Sequence, residues 1–121
     1  MLDLGEDIAT GAIREVFEET GIKAEQIGLV GFRHQNNFYF GREDCYFINI
    51  LEPKTFEINF DRGEIGDCQW ISLKEYYALD LSPNKVQTEA KNLVEKYMKD
   101  GKVLSTKDIS YSNRVATMYE F

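Results

Sequence analysis

The chain has 121 residues, 43% of them hydrophobic, with eight Phe, seven Tyr and one Trp, enough for one domain with a sizeable core and too little for two. A net charge of -7 excludes a general nucleic-acid-binding surface, which needs a basic stripe, but not a nucleotide whose phosphates meet a bound cation. No apolar run approaches the ~20 residues of a membrane span, and the acidic amino terminus lacks the basic and apolar stretches of a signal peptide. The cytoplasm is therefore the default compartment, with an upstream targeting segment left open.

Asp7 through Thr20 reads as a helix, with Ile8, Ala12, Val16, Ile13 and Phe17 toward the core. Gly11 inside it is either a weak spot costing up to ~1 kcal/mol against Ala or a place of close packing. Gly21 is the natural residue to end the helix. At about 100° per residue, Glu15, Glu18 and Glu19 fall within one arc of roughly 100°. Glu18 and Glu19 lie in the last turn, where the macrodipole is already negative. Crowded carboxylates there are unfavourable unless something positive sits over them. A hard divalent cation is the simplest candidate, and a solvated acidic face is the plainer alternative.

Ile27–Arg33 reads as a strand, followed by a polar loop over residues 34–44. In it, Phe38, Tyr39 and Phe40 could stack on a ring or pack on one another. Cys45–Leu51 is nearly all apolar and suits a strand buried on both faces, ended by Pro53. Phe56, Ile58 and Phe60 alternate with Glu57 and Asn59 as a half-buried strand or extended arm, and Asp61-Arg62-Gly63 turns the chain. Cys68–Ser72 reads as a short strand carrying Trp70 as a core residue, before a short helix near Leu73–Tyr77. Ser82 as N-cap and Pro83 at N1 open a helix to Asp100, with Val86, Ala90, Leu93, Val94 and Tyr97 on its apolar side, stopped by Gly101. The tail Arg114–Phe121 alternates as a last strand. Cys45 and Cys68 have no metal-type spacing and read as buried, reduced thiols. Strands interleaved with helices predict a mixed sheet covered on both faces.

Glu6, then Arg14-Glu15-Val16-x-Glu18-Glu19-x-Gly21-Ile22, resembles the signature of the Nudix hydrolases, G-x5-E-x7-R-E-U-x-E-E-x-G-U with U aliphatic. Every signature position within the chain matches; the opening glycine would stand just before Met1. The resemblance implies an α+β fold, the Nudix α/β/α sandwich with a mixed β-sheet. Residues 1–121 would be one such domain, lacking the usual N-terminal strands and therefore N-terminally truncated. In that fold the signature forms a loop–helix–loop along the catalytic edge. The absent glycine bears on activity more than on fold, because in the family its carbonyl can be a metal ligand.

The implied chemistry is hydrolysis of a nucleoside diphosphate linked to another group, with Mg²⁺ or Mn²⁺ neutralising the diphosphate and orienting water. By match to the signature, Glu15, Glu18 and Glu19 are the implied metal ligands, and Glu18 or a residue outside the motif is the general base. Arg14 would hold a ligand carboxylate in place, the alternative being an ordinary surface ion pair. Glu6 would tie down the loop before the helix or stand beside the metal. Glu64, six residues ahead of Trp70, resembles the loop acid that many members supply as ligand or base; otherwise it is an exposed turn carboxylate.

Phe32-Arg33-x-Gln35, Asp44 before an aromatic strand, Leu51-x-Pro53 and Phe56-x-Ile58 resemble one branch of the family. That branch holds ADP-ribose and NADH pyrophosphatases of plants and an animal Nudix protein encoded antisense to a fibroblast growth factor gene. The likeness implies Arg33, His34 and Asp44 near the substrate, against structural roles for each. It points to ADP-ribose, giving AMP and ribose 5-phosphate, or to NADH. Two rivals remain: a Nudix-fold nucleotide- or partner-binding module without turnover, and a pyrophosphatase acting on nucleoside triphosphates. The expected partner is a small-molecule nucleotide, with no nucleic acid and no membrane; a homodimer is left open.

Overall fold

The computed structural model describes residues 2–3, 5–36, 44–60, 63 and 66–121. Their elements run α1 (Ile8–Thr20), β1 (Ala24–Gln35), β2 (Asp44–Pro53), α2 (Leu73–Ala78), α3 (Lys85–Asp100), β3 (Ser105–Tyr111) and β4 (Arg114–Glu120). The expected α+β composition is present, and all pairings among the described residues are antiparallel.

α1 begins where the Asp7 carboxylate accepts the Thr10 N–H at 2.7 Å, a side-chain cap on an otherwise unpaired donor. It ends at Gly21, whose φ of 77° lies in the left-handed region and whose N–H donates to the Phe17 carbonyl at 2.8 Å. The Thr20 carbonyl at this end accepts the Asn59 N–H at 2.8 Å. Residues 56–60 are thus an extended arm rather than a strand, and the arm closes the carboxyl end of α1. Gly11 is buried, and a Cβ there would collide with the Leu2 side chain and come within 3.1 Å of Glu6 Oε1, which favours close packing over a weak spot. Phe17, expected in the core, is 47% exposed.

β1 and β2 pair from Ala24 opposite Pro53 to Gln35 opposite Asp44, with register shifts between Gln26 and Gly28 and between Leu29 and Gly31. β3 and β4 form a second pair from Ser105 opposite Glu120 to Tyr111 opposite Arg114. The two pairs are joined at Leu29 and Leu104, whose backbones exchange hydrogen bonds of 3.0 and 2.8 Å. The structure thus holds two two-stranded sheets, β1–β2 and β3–β4, that meet at this one bridge. α3 lies close on β1: a Cβ at Gly31 would be 2.8 Å from Leu93 Cδ1. α2 is tied to α3 by Lys91 Nζ, which donates to the carbonyls of Tyr77 at 3.3 Å and Leu79 at 2.7 Å.

Several local expectations change. α3 is capped by Asn84, whose side chain accepts the Gln87 N–H at 3.1 Å, and Pro83 lies in the preceding turn rather than at N1. Residues 68–72 are not a strand. Trp70 donates through Nε1 to the Phe56 carbonyl at 2.8 Å and is 53% exposed, so it is not a core residue. Cys45 is exposed and Cys68 half-buried, both as free thiols; β2 is consequently not covered on both faces.

Among the described residues, only Ile22 and Leu29 are buried hydrophobics. The chain exposes 9462 Å², against roughly 6,700 Å² for a compact monomer of its 14.0 kDa mass. Its apolar surface is only partly covered.

Candidate metal and substrate site on the acidic helix

Capping at Asp7 and Gly21 fixes the phase of α1, so its carboxylates leave the helix on one side. Glu6 sits just before the cap and Arg14 almost two turns along, close enough for a fork-to-fork pair. Arg14 Nε donates to Glu6 Oε2 at 2.9 Å and Nη2 to Oε1 at 3.0 Å, the two-point geometry that suits guanidinium and carboxylate. The Asp3 N–H also donates to Glu6 Oε1 at 3.0 Å. The Arg14 hydrogen bonds, then the Asp3 amide, hold the Glu6 carboxyl down at a pKa of about 2. The same pair, with Glu18 adding to it, pushes the Arg14 guanidinium further up.

Arg14 Nη1 also donates to Glu18 Oε2 at 3.1 Å, and Glu15 Oε1 lies 3.9 Å from Nη2. Arg14 thus fastens the loop before the helix and steadies the carboxylate arc at once. Glu6 and Arg14, given separate roles from the sequence, are direct partners in one network.

Glu15 faces a cavity of about 520 Å³ between α1 and β2, lined also by Leu2, Ala12, Asp44, Tyr46 and Phe47. A smaller space of about 330 Å³ is lined by Glu15 and Glu19 together with Tyr46, Asn49 and Ala90. The first is of the size that small-molecule sites occupy. A cavity of about 700 Å³ at the carboxyl end of α3, lined by Val30, Tyr97 and Phe121, contains none of the motif carboxylates and is not the place for their chemistry.

Glu15, Glu18 and Glu19 offer the hard oxygen donors that Mg²⁺ or Mn²⁺ takes, so the chemistry of the set fits such an ion. Among the described residues, no three His, Cys, Asp or Glu side chains are grouped as a ready metal site. Glu18 is 59% exposed in its side chain and Glu15 39%, so both can re-orient in solvent.

The three candidates outside the helix are on the β1–β2 pair. Arg33 Nη2 pairs with Asp44 Oδ2, Nη1 donates to Gln35 Oε1 at 3.0 Å, and the guanidinium carbon lies 5.7 Å from the centre of the Tyr46 ring. Among the described residues, Arg33 Nε is buried without a hydrogen-bond partner. Asp44 is brought to the same cavity as Glu15, and Arg33 reaches it through Asp44. His34 is exposed and stands opposite Cys45, another residue of the cavity wall. The partnership of Arg33 with Tyr46 was not legible in the sequence. It follows from the register set by the two strand irregularities. Glu64, Phe38, Tyr39 and Phe40 lie outside the described residues.

The sequence family described as NUDIX domain matches residues 1–97. The chain is 47% identical over 72 residues to mouse "Nucleoside diphosphate-linked moiety X motif 6", a stretch covering 58% of this chain and 23% of that protein. It is 42% identical over 72 residues to "Nudix hydrolase 2" of Arabidopsis thaliana, covering 60% and 26% of the two chains. Against the Xenopus laevis motif 6 protein the identity is 45% over 75 residues, covering 60% and 35%. The matched stretch thus spans between about a quarter and a third of these relatives' lengths.

Proposed function

Because the chain belongs to the NUDIX domain family, we propose that it hydrolyses the pyrophosphate of a nucleoside diphosphate linked to another group, with Mg²⁺ or Mn²⁺ as cofactor. The observation that carries this reading is the cavity between α1 and β2, where Glu15 of the signature and Asp44 of the strand pair share one wall. A divalent ion there would neutralise the diphosphate and activate water.

Glu15, Glu18 and Glu19 hold the ion in this reading, and Glu18 or Glu64 accepts the proton of the attacking water. Arg14 positions Glu18 through its 3.1 Å hydrogen bond. Arg33 and Asp44 orient the substrate, with His34 at the edge of the site. ADP-ribose and NADH are the leading substrates, from the likeness to the branch that includes the plant enzymes. The name of the mouse relative, a nucleoside diphosphate-linked moiety protein, agrees with that class. No helix among the described residues is long and apolar enough to cross a membrane.

The test is product analysis with ADP-ribose and NADH in Mg²⁺, Mn²⁺ or EDTA, beside Glu18→Gln. Metal-dependent AMP that falls at least ~100-fold in the variant is expected. Near-wild-type turnover in Glu18→Gln removes that residue from the site.

A second reading is favoured by the absence of a ready three-ligand grouping among the described residues. Here the domain binds a nucleotide without turning it over. Saturable nucleotide binding with no product in any metal would select it, and product from nucleoside triphosphates alone would instead move the substrate class.

A further inference from the structure

The β3–β4 hairpin begins beyond residues 1–97, the stretch that matches the family, yet one of its side chains reaches the start of the signature helix. The Tyr119 hydroxyl is buried against the first turn of α1, beside the Ala9 N–H and within the field of the Asp7 carboxylate. Burial first, and then the charge of Asp7, hold this phenol protonated beyond its ordinary range. Among the described residues the hydroxyl makes no well-aligned hydrogen bond.

A helix leaves its first N–H groups without partners in its own backbone. In α1 the Asp7 side chain accepts that of Thr10 at 2.7 Å, and the Asp7 carbonyl accepts that of Gly11 at 3.0 Å. The Ala9 N–H faces the Tyr119 oxygen. A buried hydroxyl short of a full hydrogen bond is unfavourable against a ring that lacks it, so stability alone does not account for a tyrosine here.

We propose that Tyr119 is a positioning residue, its hydroxyl fixing the first turn of α1 and, through that turn, the carboxylates of the acidic face. The inference rests on the hydrolase reading and adds to it a residue from outside the signature. Asp7 follows directly on Glu6, Glu6 is held by Arg14 at 2.9 and 3.0 Å, and Arg14 reaches Glu18 at 3.1 Å. A shift of the first turn therefore passes to Glu18 although Tyr119 touches none of the ion's ligands. Arg33 and Asp44, which orient the substrate in that reading, pair with each other on β1 and β2 and take no part in this line of contacts. Loss of the hydroxyl should thus act on the ion and on turnover while sparing substrate affinity and stability.

The test is Tyr119→Phe in the full chain, which keeps the ring and removes only the oxygen. Three quantities are compared with the unaltered chain: Mn²⁺ binding by calorimetry without substrate, kinetics on ADP-ribose with Mg²⁺, and melting temperature. The Mn²⁺ Kd should rise and kcat should fall, each about tenfold, the size of effect exerted by groups that orient metal ligands. KM should stay within about twofold, and the melting temperature should be unchanged or higher. Kd and kcat both within about twofold of the unaltered chain overturn the inference. A rise in KM alone also overturns it, because the hydroxyl then acts on the substrate. So does a variant that melts lower or fails to fold, because Tyr119 then has a merely structural role. An unaltered chain that neither binds Mn²⁺ nor cleaves ADP-ribose overturns the hydrolase reading and this inference with it. If the unaltered chain does only one of the two, that readout decides, and an unmoved Tyr119→Phe then overturns this inference alone.

Discussion

Arg14 shows how one side chain can serve both architecture and chemistry. Two of its nitrogens grip Glu6 and a third reaches Glu18, so the loop before α1 and the carboxylate arc move together. A consequence for acid stability follows from the depressed Glu6 carboxyl. Its folded value of about 2 lies below the ordinary 4.5, so its stabilisation is complete above pH 4.5 and is lost as pH falls toward 2. Glu6→Gln should flatten the unfolding free energy across that window, measured by urea titration at successive pH values. Arg14→Lys should lower both activity and acid stability, because an ammonium cannot make the two-point contact. The Arg14–Glu18 neighbourhood was legible from the i,i+4 spacing on one helix, whereas the pairing of Arg14 with Glu6, which precedes that helix, was not. Nor was the environment of Arg33: only the register of β1 against β2 puts Tyr46 beneath it.

The helices announced themselves because capping residues and apolar periodicity agree. For α1 the cap can be tested directly: Asp7→Ala should cost about 1 kcal/mol and lower the melting temperature by about 4 °C. Gly21→Ala should cost roughly 1–3 kcal/mol. Its φ of 77° disfavours a side chain, and the added Cβ would meet the Asn59 carbonyl at 2.8 Å. Thermal melts of both variants separate the cap from the clasp made by the arm at residues 56–60. The strands were harder to read. β3, Ser-Thr-Lys-Asp-Ile-Ser-Tyr, has a single half-buried position, Ile109, and its strand character comes from pairing with β4 rather than from apolar alternation. Residues 68–72 carry the opposite lesson: β-favouring side chains without a pairing partner among the described residues remain extended chain. Asn84 overtook Ser82-Pro83 as the start of α3 because its amide oxygen reaches the Gln87 N–H.

Across the whole molecule, composition promised a larger core than the fold assembles, since hydrophobic content counts side chains and not what lies over them. The signature, by contrast, could be read from the residue string, because most of its fixed positions lie on α1 or just beside it. If the acidic face of α1 holds the cation, Mg²⁺ at about 100 times its Kd should stabilise the fold by about 2.7 kcal/mol. A scanning calorimeter would register that gain, and it should vanish when Glu15, Glu18 and Glu19 are all Gln; an equal gain in that variant would move the ion elsewhere. The distribution of charge carries a further consequence. Glu6, Glu15 and Glu18 all lie within 4 Å of Arg14, on a chain of net charge -7. Monovalent salt screens repulsion among such groups within about 10 Å at 0.1 M. Potassium chloride should therefore steady the metal-free protein while loosening its hold on the divalent ion, so ionic strength becomes a dial that turns stability and affinity in opposite directions.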